Sequence, residues 1–258
     1  MELFKGKKGL IMGVANDRSI AWGIAKKLRE NGAELAIAYQ NELLLKRVKP
    51  LAEKLNSNFL IKCDFVNEVE IKKCFESVEK KWNTIDFVVH AVAYADKNEL
   101  NGKYIKTSKN NFLNALNISC YSFTKIAHLS SNIIKNGGSL ITLTFYGSNK
   151  VIPSYNVMGV AKAALETSVK YLSVDLGDKN IRVNAISSGP MRTLSGSVIR
   201  NSREVYNYTE KNAPLKRNVN LEEIGNTALY LVSDMSRSVT GEIHYADCGF
   251  NIVGMPKL

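Results

Sequence analysis

Tyr155 and Lys162 stand seven residues apart in the run Tyr155-Asn156-Val157-Met158-Gly159-Val160-Ala161-Lys162. On an α-helix that separation is two turns, so the spacing predicts both side chains on one face. An ammonium near a phenol favours the phenolate, which suits such a pair to proton donation beside a bound substrate. Both residue types are common, and the same spacing fits an ordinary amphipathic face. Its weight depends on a second feature at the other end of the chain.

That feature is the run from Gly13 through Gly23, where a glycine ends an apolar stretch and Asn16, Asp17 and Arg18 fill a turn. A helix opening at Ser19 and Ile20 would aim its amides and the positive end of its dipole at a pyrophosphate. Gly13 would let the backbone turn close to the ligand, Ser19 offers a hydroxyl, and Gly23 permits close helix–strand packing. The spacing is not Gly-x-Gly-x-x-Gly, so a purely structural turn stays open. Dinucleotide sites often place an acid against the adenosine ribose at the end of the second strand, and here Gln40 stands there. Gln40 can hydrogen-bond a ribose hydroxyl, whereas neither it nor Asn41 would neutralise a 2′-phosphate, so NADH is expected over NADPH. Lys46 and Arg47 lie further along and weaken that preference slightly. Asp64, closing the third strand, is placed either to meet the adenine edge or to serve as a helix N-terminal acid.

The elements that must position these residues alternate throughout. Strands are predicted at 9–13, 34–39, 58–63, 85–91, 139–144, 181–186 and 243–246. Helices are predicted at 20–31, 42–55, 68–81, 109–132, 155–176 and 221–233. Such alternation implies βαβ units and a parallel sheet covered on both faces. The expected fold is therefore α/β, a single doubly wound Rossmann-type domain over residues 1–258. Residues 191–214 have weak periodicity and many polar groups, and read as a substrate-covering insertion.

The chain is 258 residues long, 45% hydrophobic and 23% charged, a composition of globular rather than disordered proteins. Its longest apolar runs, such as Phe87 to Ala93, are far too short to span a bilayer. Residues 1–8 lack the apolar core of a signal peptide, so a cytoplasmic location without membrane association is expected. Cys63, Cys74, Cys120 and Cys248, like His90, His128 and His244, are scattered, which argues against a disulfide framework or a metal site. Thirty-five basic against 24 acidic residues leave a net charge of +11. That excess would attract an acidic partner, although a lysine-rich solvated surface is the simpler account of it. No dense basic run favours nucleic acid.

Taken together, Gly13 through Gly23, His90-Ala91-Val92-Ala93, the Tyr155 to Lys162 run and Arg182-Val183-Asn184-Ala185-Ile186-Ser187-Ser188-Gly189-Pro190-Met191-Arg192-Thr193 resemble the bacterial enoyl-acyl-carrier-protein reductases. These are a divergent branch of the short-chain dehydrogenase/reductase superfamily, and the similarity extends to Asp247-Cys248-Gly249-Phe250. Ordinary members of the superfamily carry Tyr-x3-Lys, and here Met158 and Gly159, three and four residues after Tyr155, carry no charge. The resemblance implies hydride transfer from NADH to the β-carbon of a trans-2-enoyl thioester, in the last step of the type II fatty-acid elongation cycle. Tyr155 would hydrogen-bond the enolate oxygen, and Lys162 would hold the nicotinamide ribose. It also implies that Gly13, Ser19, Ile20, Gln40, Asp64, Phe65, Ala91, Met191 and Thr193 line the cofactor, with Ala93, Tyr94, Tyr155 and Met158 at the substrate. An acidic acyl carrier protein and a homotetramer are the partners it implies.

One position departs from the family. Ten residues before Tyr155, where a second tyrosine is usual, stands Phe145, which keeps the ring and loses the hydroxyl. Tyr146 is adjacent, but neighbours in an extended strand point opposite ways. Tyr94, Tyr146, Met158, Ile199 and Phe250 are further candidates for an apolar acyl pocket. Two other readings compete: a carbonyl reductase or alcohol dehydrogenase acting on free small molecules, which would want Tyr-x3-Lys, and a non-catalytic nucleotide sensor or nucleic-acid partner.

Overall fold

The run Lys8–Met12 is buried at four of its five residues, as a strand covered on both faces requires. In the computed structural model, which describes residues 3–197 and 200–255, it is β1, an interior strand of a seven-stranded sheet. The others are β2 (Glu34–Tyr39), β3 (Phe59–Lys62), β4 (Phe87–His90), β5 (Gly138–Thr144), β6 (Ile181–Ser188) and β7 (Ile243–Ala246). Their order is β3-β2-β1-β4-β5-β6-β7 and every neighbouring pair is parallel. The helices are α1 (Ile20–Glu30), α2 (Glu42–Lys54), α3 (Glu68–Trp82), α4 (Lys97–Leu100), α5 (Lys109–Leu116), α6 (Ser122–Ile133), α7 (Val157–Asp175), α8 (Leu194–Ser197), α9 (Ser202–Asn212) and α10 (Leu221–Val232).

Strand alternation sorts the core into two layers. Ile11, Ile37 and Val89 face Ile24 and Leu28 of α1, Val48 of α2, and Ile224 and Leu231 of α10. Leu10, Met12 and Val88 face Ile71 and Phe75 of α3, Phe123 and Ile126 of α6, and Leu165 and Val169 of α7. Helix starts are fixed locally by asparagines: Asn41 caps α2, Asn67 caps α3, and Asn220 with Glu223 forms a capping box on α10.

The predicted α/β order is present, with strand limits displaced by no more than about two residues, the usual uncertainty at element ends. Two helices differ from expectation. The segment predicted as one helix over 109–132 is two helices joined by a π turn, Asn117–Tyr121, a wide turn of the kind that gathers at functional sites. The helix predicted from residue 155 begins at Val157, so Tyr155 precedes it. No helix among the described residues is long and apolar enough to cross a membrane.

β4 ends on His90, fully buried, whose Nδ1 meets Thr142 Oγ1 at 3.1 Å and Nε2 meets Ser122 Oγ at 2.9 Å. It thus ties β4 to β5 and α6. Burial first, and the charge of Lys162 second, pull its pKa from 6.5 to about 3. The unfolded chain takes up this proton near pH 6.5 and the folded chain near 3, so acid favours unfolding between them. Denaturant unfolding followed against pH is expected to lose about 1.4 kcal/mol per pH unit on this account. A His90→Asn variant should lack that component.

Candidate active site

The order 3-2-1-4 reverses direction between β1 and β4, so the crevice beyond their carboxyl ends is where a doubly wound sheet accepts ligands. Gly13 and Ala91 meet there. Gly13 has φ +101°, and a Cβ on it would lie 2.1 Å from the Ala91 carbonyl oxygen. The residue must be glycine for β1 and β4 to close, which is a different need from contact with a ligand. The Ser19 hydroxyl does not cap α1. It accepts the amides of Ala15 and Asn16, both at 3.0 Å, and so folds the preceding loop. The first-turn amides of α1, starting at Ile20, are therefore left without a side-chain cap, a fit for an anion such as a pyrophosphate.

At the far side of the crevice Gln40 Nε2 donates to Asp64 Oδ1 at 3.2 Å, joining the ends of β2 and β3. Asp64 also accepts the Val66 amide, while the cap of α3 is Asn67, so Asp64 is not that helix's N-terminal acid. Phe65 turns its ring into the core, 6.4 Å from His90. Met191 packs against the α1–α10 layer, and Thr193 Oγ1 accepts the Gly196 amide at 2.9 Å. Among the described residues no group of three or more His, Cys, Asp or Glu side chains is placed to hold a metal.

Tyr155 is held in the loop before α7 by an unusual backbone. Ser154 and Asn156 flank it with φ of +60° and +41°, conformations that β-carbon sterics disfavour and surrounding contacts must enforce. Asn156 Nδ2 donates to the carbonyls of Leu100 and Gly102, at 3.0 and 3.3 Å. The phenol ring packs edge-on to Phe145, centroids 5.1 Å apart. Gly147 and Gly159 leave it room: a Cβ on Gly147 would lie 2.5 Å from the Tyr155 ring, and one on Gly159 2.7 Å from the Gly147 carbonyl oxygen.

Lys162, on the second turn of α7, is buried and donates to the Leu143 carbonyl at 2.7 Å. Burial pulls its pKa from 10.5 to about 8, opposed by Cys120 and Glu166. Burial also pushes the Tyr155 phenol well above its usual value, and the charge of Glu166 adds to this. The sequence expects a proton donor at this position, and a neutral phenol is the form that can donate. In a site this dry the tyrosine stays neutral, as a hydrogen-bond donor must.

Around the phenol the remaining candidates form two groups. Ser119 in the π turn bonds both main-chain groups of Tyr94, and its hydroxyl lies 3.9 Å from Met158 Sδ. Tyr94 and Ala93 are exposed at the crevice rim. Tyr146 is the first residue of a 3-10 turn and not part of the extended strand end that the sequence suggested; it packs on Phe250 at 5.8 Å, which in turn meets Tyr208 of α9 at 6.1 Å. Ile199 lies outside the described residues. Sequence reasoning missed Ser119 and Glu166, whose relation to the site depends on the π turn and on the packing of α7 against β5. A surface depression of about 720 Å³ between α1 and α2, lined in part by Trp22, Lys26, Arg29 and Leu51, contains none of these side chains.

Residues 13–251 match the family model described as enoyl-(acyl carrier protein) reductase. Enoyl-(acyl-carrier-protein) reductase (NADH) 2 of Rhizobium meliloti (strain 1021) is 54% identical over 99% of this chain and 96% of its own. The enzyme named enoyl-(acyl-carrier-protein) reductase (NADH) FabI of Rickettsia prowazekii (strain Madrid E) is 53% identical over 99% and 98%. Among solved structures, FabI from Candidatus Liberibacter asiaticus superposes with a TM-score of 0.97 at 54% identity, covering 99% of both chains. The Anaplasma phagocytophilum reductase in complex with NAD gives 0.95 at 50% identity, over 99% and 96%.

Because a methyl group at Gly147 has to displace the Tyr155 ring, Gly147→Ala is expected to cost about 1–3 kcal/mol of stability. Gly177, where a Cβ meets nothing within 4 Å, is the control: Gly177→Ala should stay within about 0.5 kcal/mol of the parent. Denaturant titration of the two variants checks this.

Proposed function

The chain belongs to the enoyl-(acyl carrier protein) reductase family, and from that premise we propose how its own residues carry the reaction. It is an NADH-dependent oxidoreductase of fatty-acid synthesis, reducing the double bond of an enoyl thioester borne by acyl carrier protein. Bound NADH supplies the hydride. The residues present fit the cofactor: uncapped amides at the start of α1 for the pyrophosphate, Gln40 and Asp64 at the adenosine end, and Ala91, Met191 and Thr193 along the crevice. Gly13 closes the floor, while Ser19 and Ile20 shape the loop and the helix start. Phe65 offers its main chain.

The observation that carries the assignment of roles is the neutral, buried Tyr155, seven residues before the buried Lys162. As hydride reaches the β-carbon, negative charge grows on the thioester oxygen. Tyr155 donates a hydrogen bond to that oxygen, an interaction stronger in the transition state than in the ground state. Lys162 adds positive potential and a donor for a ribose hydroxyl. Phe145 supplies no second hydroxyl, and its ring buttresses Tyr155 instead. Ala93, Tyr94 and Met158 border the thioester. The acyl chain runs towards Tyr146 and Phe250, under residues 191–214, whose α9 is tied to Phe250 by Tyr208 and so acts as the covering segment.

The net charge of +11 provides attraction for an acidic carrier. Leu113, Tyr121, Val160, Tyr171 and Val174 on α5, the π turn and α7 are exposed apolar side chains, an apolar surface suited to subunit packing in a homotetramer. A cytoplasmic location agrees with a water-soluble substrate carrier.

Purified protein mixed with NADH and a short trans-2-enoyl thioester should oxidise the nicotinamide, with NADPH much slower. Absence of turnover, even with carrier-linked substrate, would favour the carbonyl-reductase reading. Tyr155→Phe is expected to lower kcat at least about tenfold. With carrier-linked substrate, KM should rise steeply between low and moderate salt.

A further inference from the structure

Glu166 is buried, 8% exposed, one helical turn beyond Lys162, and the reaction described above gives it no task. A buried carboxylate is costly unless it is paired and hydrogen-bonded. Among the described residues no basic group forms an ion pair with it. Instead it accepts hydrogen bonds from Thr144 Oγ1 at 2.6 Å, from Ser148 Oγ, and from Asn149 Nδ2 at 3.4 Å. All three donors lie at the end of β5 or on the turn that follows it. The same segment offers the Leu143 carbonyl to Lys162, the Phe145 ring to Tyr155, and the bare Gly147 backbone to the other side of that ring. Asn149 Nδ2 also reaches the Tyr245 hydroxyl at 2.9 Å, linking the arrangement to β7.

We propose that Glu166 is a positioning residue for the Tyr155–Lys162 pair, anchoring residues 144–149 against α7 and supplying the negative charge that keeps Lys162 protonated. The inference rests on the reductase reading above. Two consequences of one carboxylate are separable. Its hydrogen bonds fix where Phe145 and Gly147 stand, and hence the phenol ring. Its charge opposes the burial that strips the proton from Lys162, and it disfavours ionisation of Tyr155, keeping the phenol a donor. The groups facing this centre come from every neighbouring element. They are Tyr155 before α7, Cys120 in the π turn, His90 on β4, and Tyr245 on β7 with Asp247, Glu242 and Tyr146 around it. Cys120 acts on Lys162 in the same direction as Glu166. His90 is neutral at physiological pH.

The sign of the pH effect follows. Removing the charge lets Lys162 lose its proton at lower pH, so the alkaline limb of activity moves down. Glu166→Gln, which retains an acceptor for the Thr144 and Ser148 hydroxyls, isolates the charge. Its pH profile of kcat/KM is expected to shift its alkaline limb down by about 0.5–1 pH unit relative to the parent. Glu166→Asp retains the charge and shortens the reach. It is expected to lower kcat severalfold with the limb in place. A merely structural residue would change stability and leave both limbs where they were.

Circular dichroism and thermal melting accompany each variant. Parent activity with an unmoved limb in Glu166→Gln overturns the proposal. Should Glu166→Gln not fold, Ser148→Ala is read instead, since it removes an anchor and keeps the charge: lowered kcat with a fixed limb supports the proposal, and unchanged kcat overturns it. A parent protein that does not oxidise NADH with enoyl thioester defeats the reductase reading itself, a result distinct from any of these.

Discussion

The ammonium of Lys162 is taken out of water and given one short hydrogen bond, to the Leu143 carbonyl. A charge in that position has to be solvated by the protein or lost. The surroundings of α7 follow from this requirement. The end of β5 turns a carbonyl towards the lysine, Glu166 sits a turn away within the same packed layer, and His90 is held neutral by burial and by the lysine itself. The cation survives near neutral pH, yet with its proton less firmly bound than in water. Such a group exerts a strong local field because little solvent screens it.

Tyr155 shows how backbone geometry serves the same centre. Two positive φ values in succession around one residue are uncommon outside glycine, and here they place the phenol ahead of the helix instead of on it. The bend is held by Asn156 reaching across to the carbonyls of Leu100 and Gly102. The ring is then packed between Phe145 and the glycine backbone at 147, so its orientation is set by contacts on both sides. With the hydroxyl missing from Phe145, the role proposed for the phenol falls on Tyr155 alone, and its precision of placement matters more.

The cofactor crevice depends on a different economy of atoms. Gly13 allows β1 and β4 to approach until no β-carbon would fit, and Ser19 spends its hydroxyl on the loop before α1, leaving the helix amides to an anion. Gln40 and Asp64, from strands two positions apart in the sequence of elements, become hydrogen-bonded neighbours because β2 and β3 are adjacent in the sheet. None of these contacts is local in the chain except the serine's.

The order of strands and helices was legible because burial imposes periodicity: runs such as Lys8–Met12 and Phe87–His90 have to be apolar on both faces, and helices such as α1 on one. The Tyr155 and Lys162 types, the glycine-led turn and the missing hydroxyl at Phe145 were equally plain, since they are matters of residue identity and spacing. The helix over 109–132 and the one expected to include Tyr155 were misread because a π turn and a positive-φ bend carry no periodic signal; tertiary contacts from Tyr94, Leu100 and Gly102 help hold them. The charge state of the pair was not legible for a similar reason. Spacing says that a lysine stands near a phenol, but only the folded chain says that both are buried, and burial with the charge of Glu166 raises the phenol's pKa. The sequence by itself determined the fold class, the family and the residue types from which the site is proposed; the tertiary structure decided their orientation, their burial and the contacts of Glu166, because dielectric and contact depend on segments far apart in the chain.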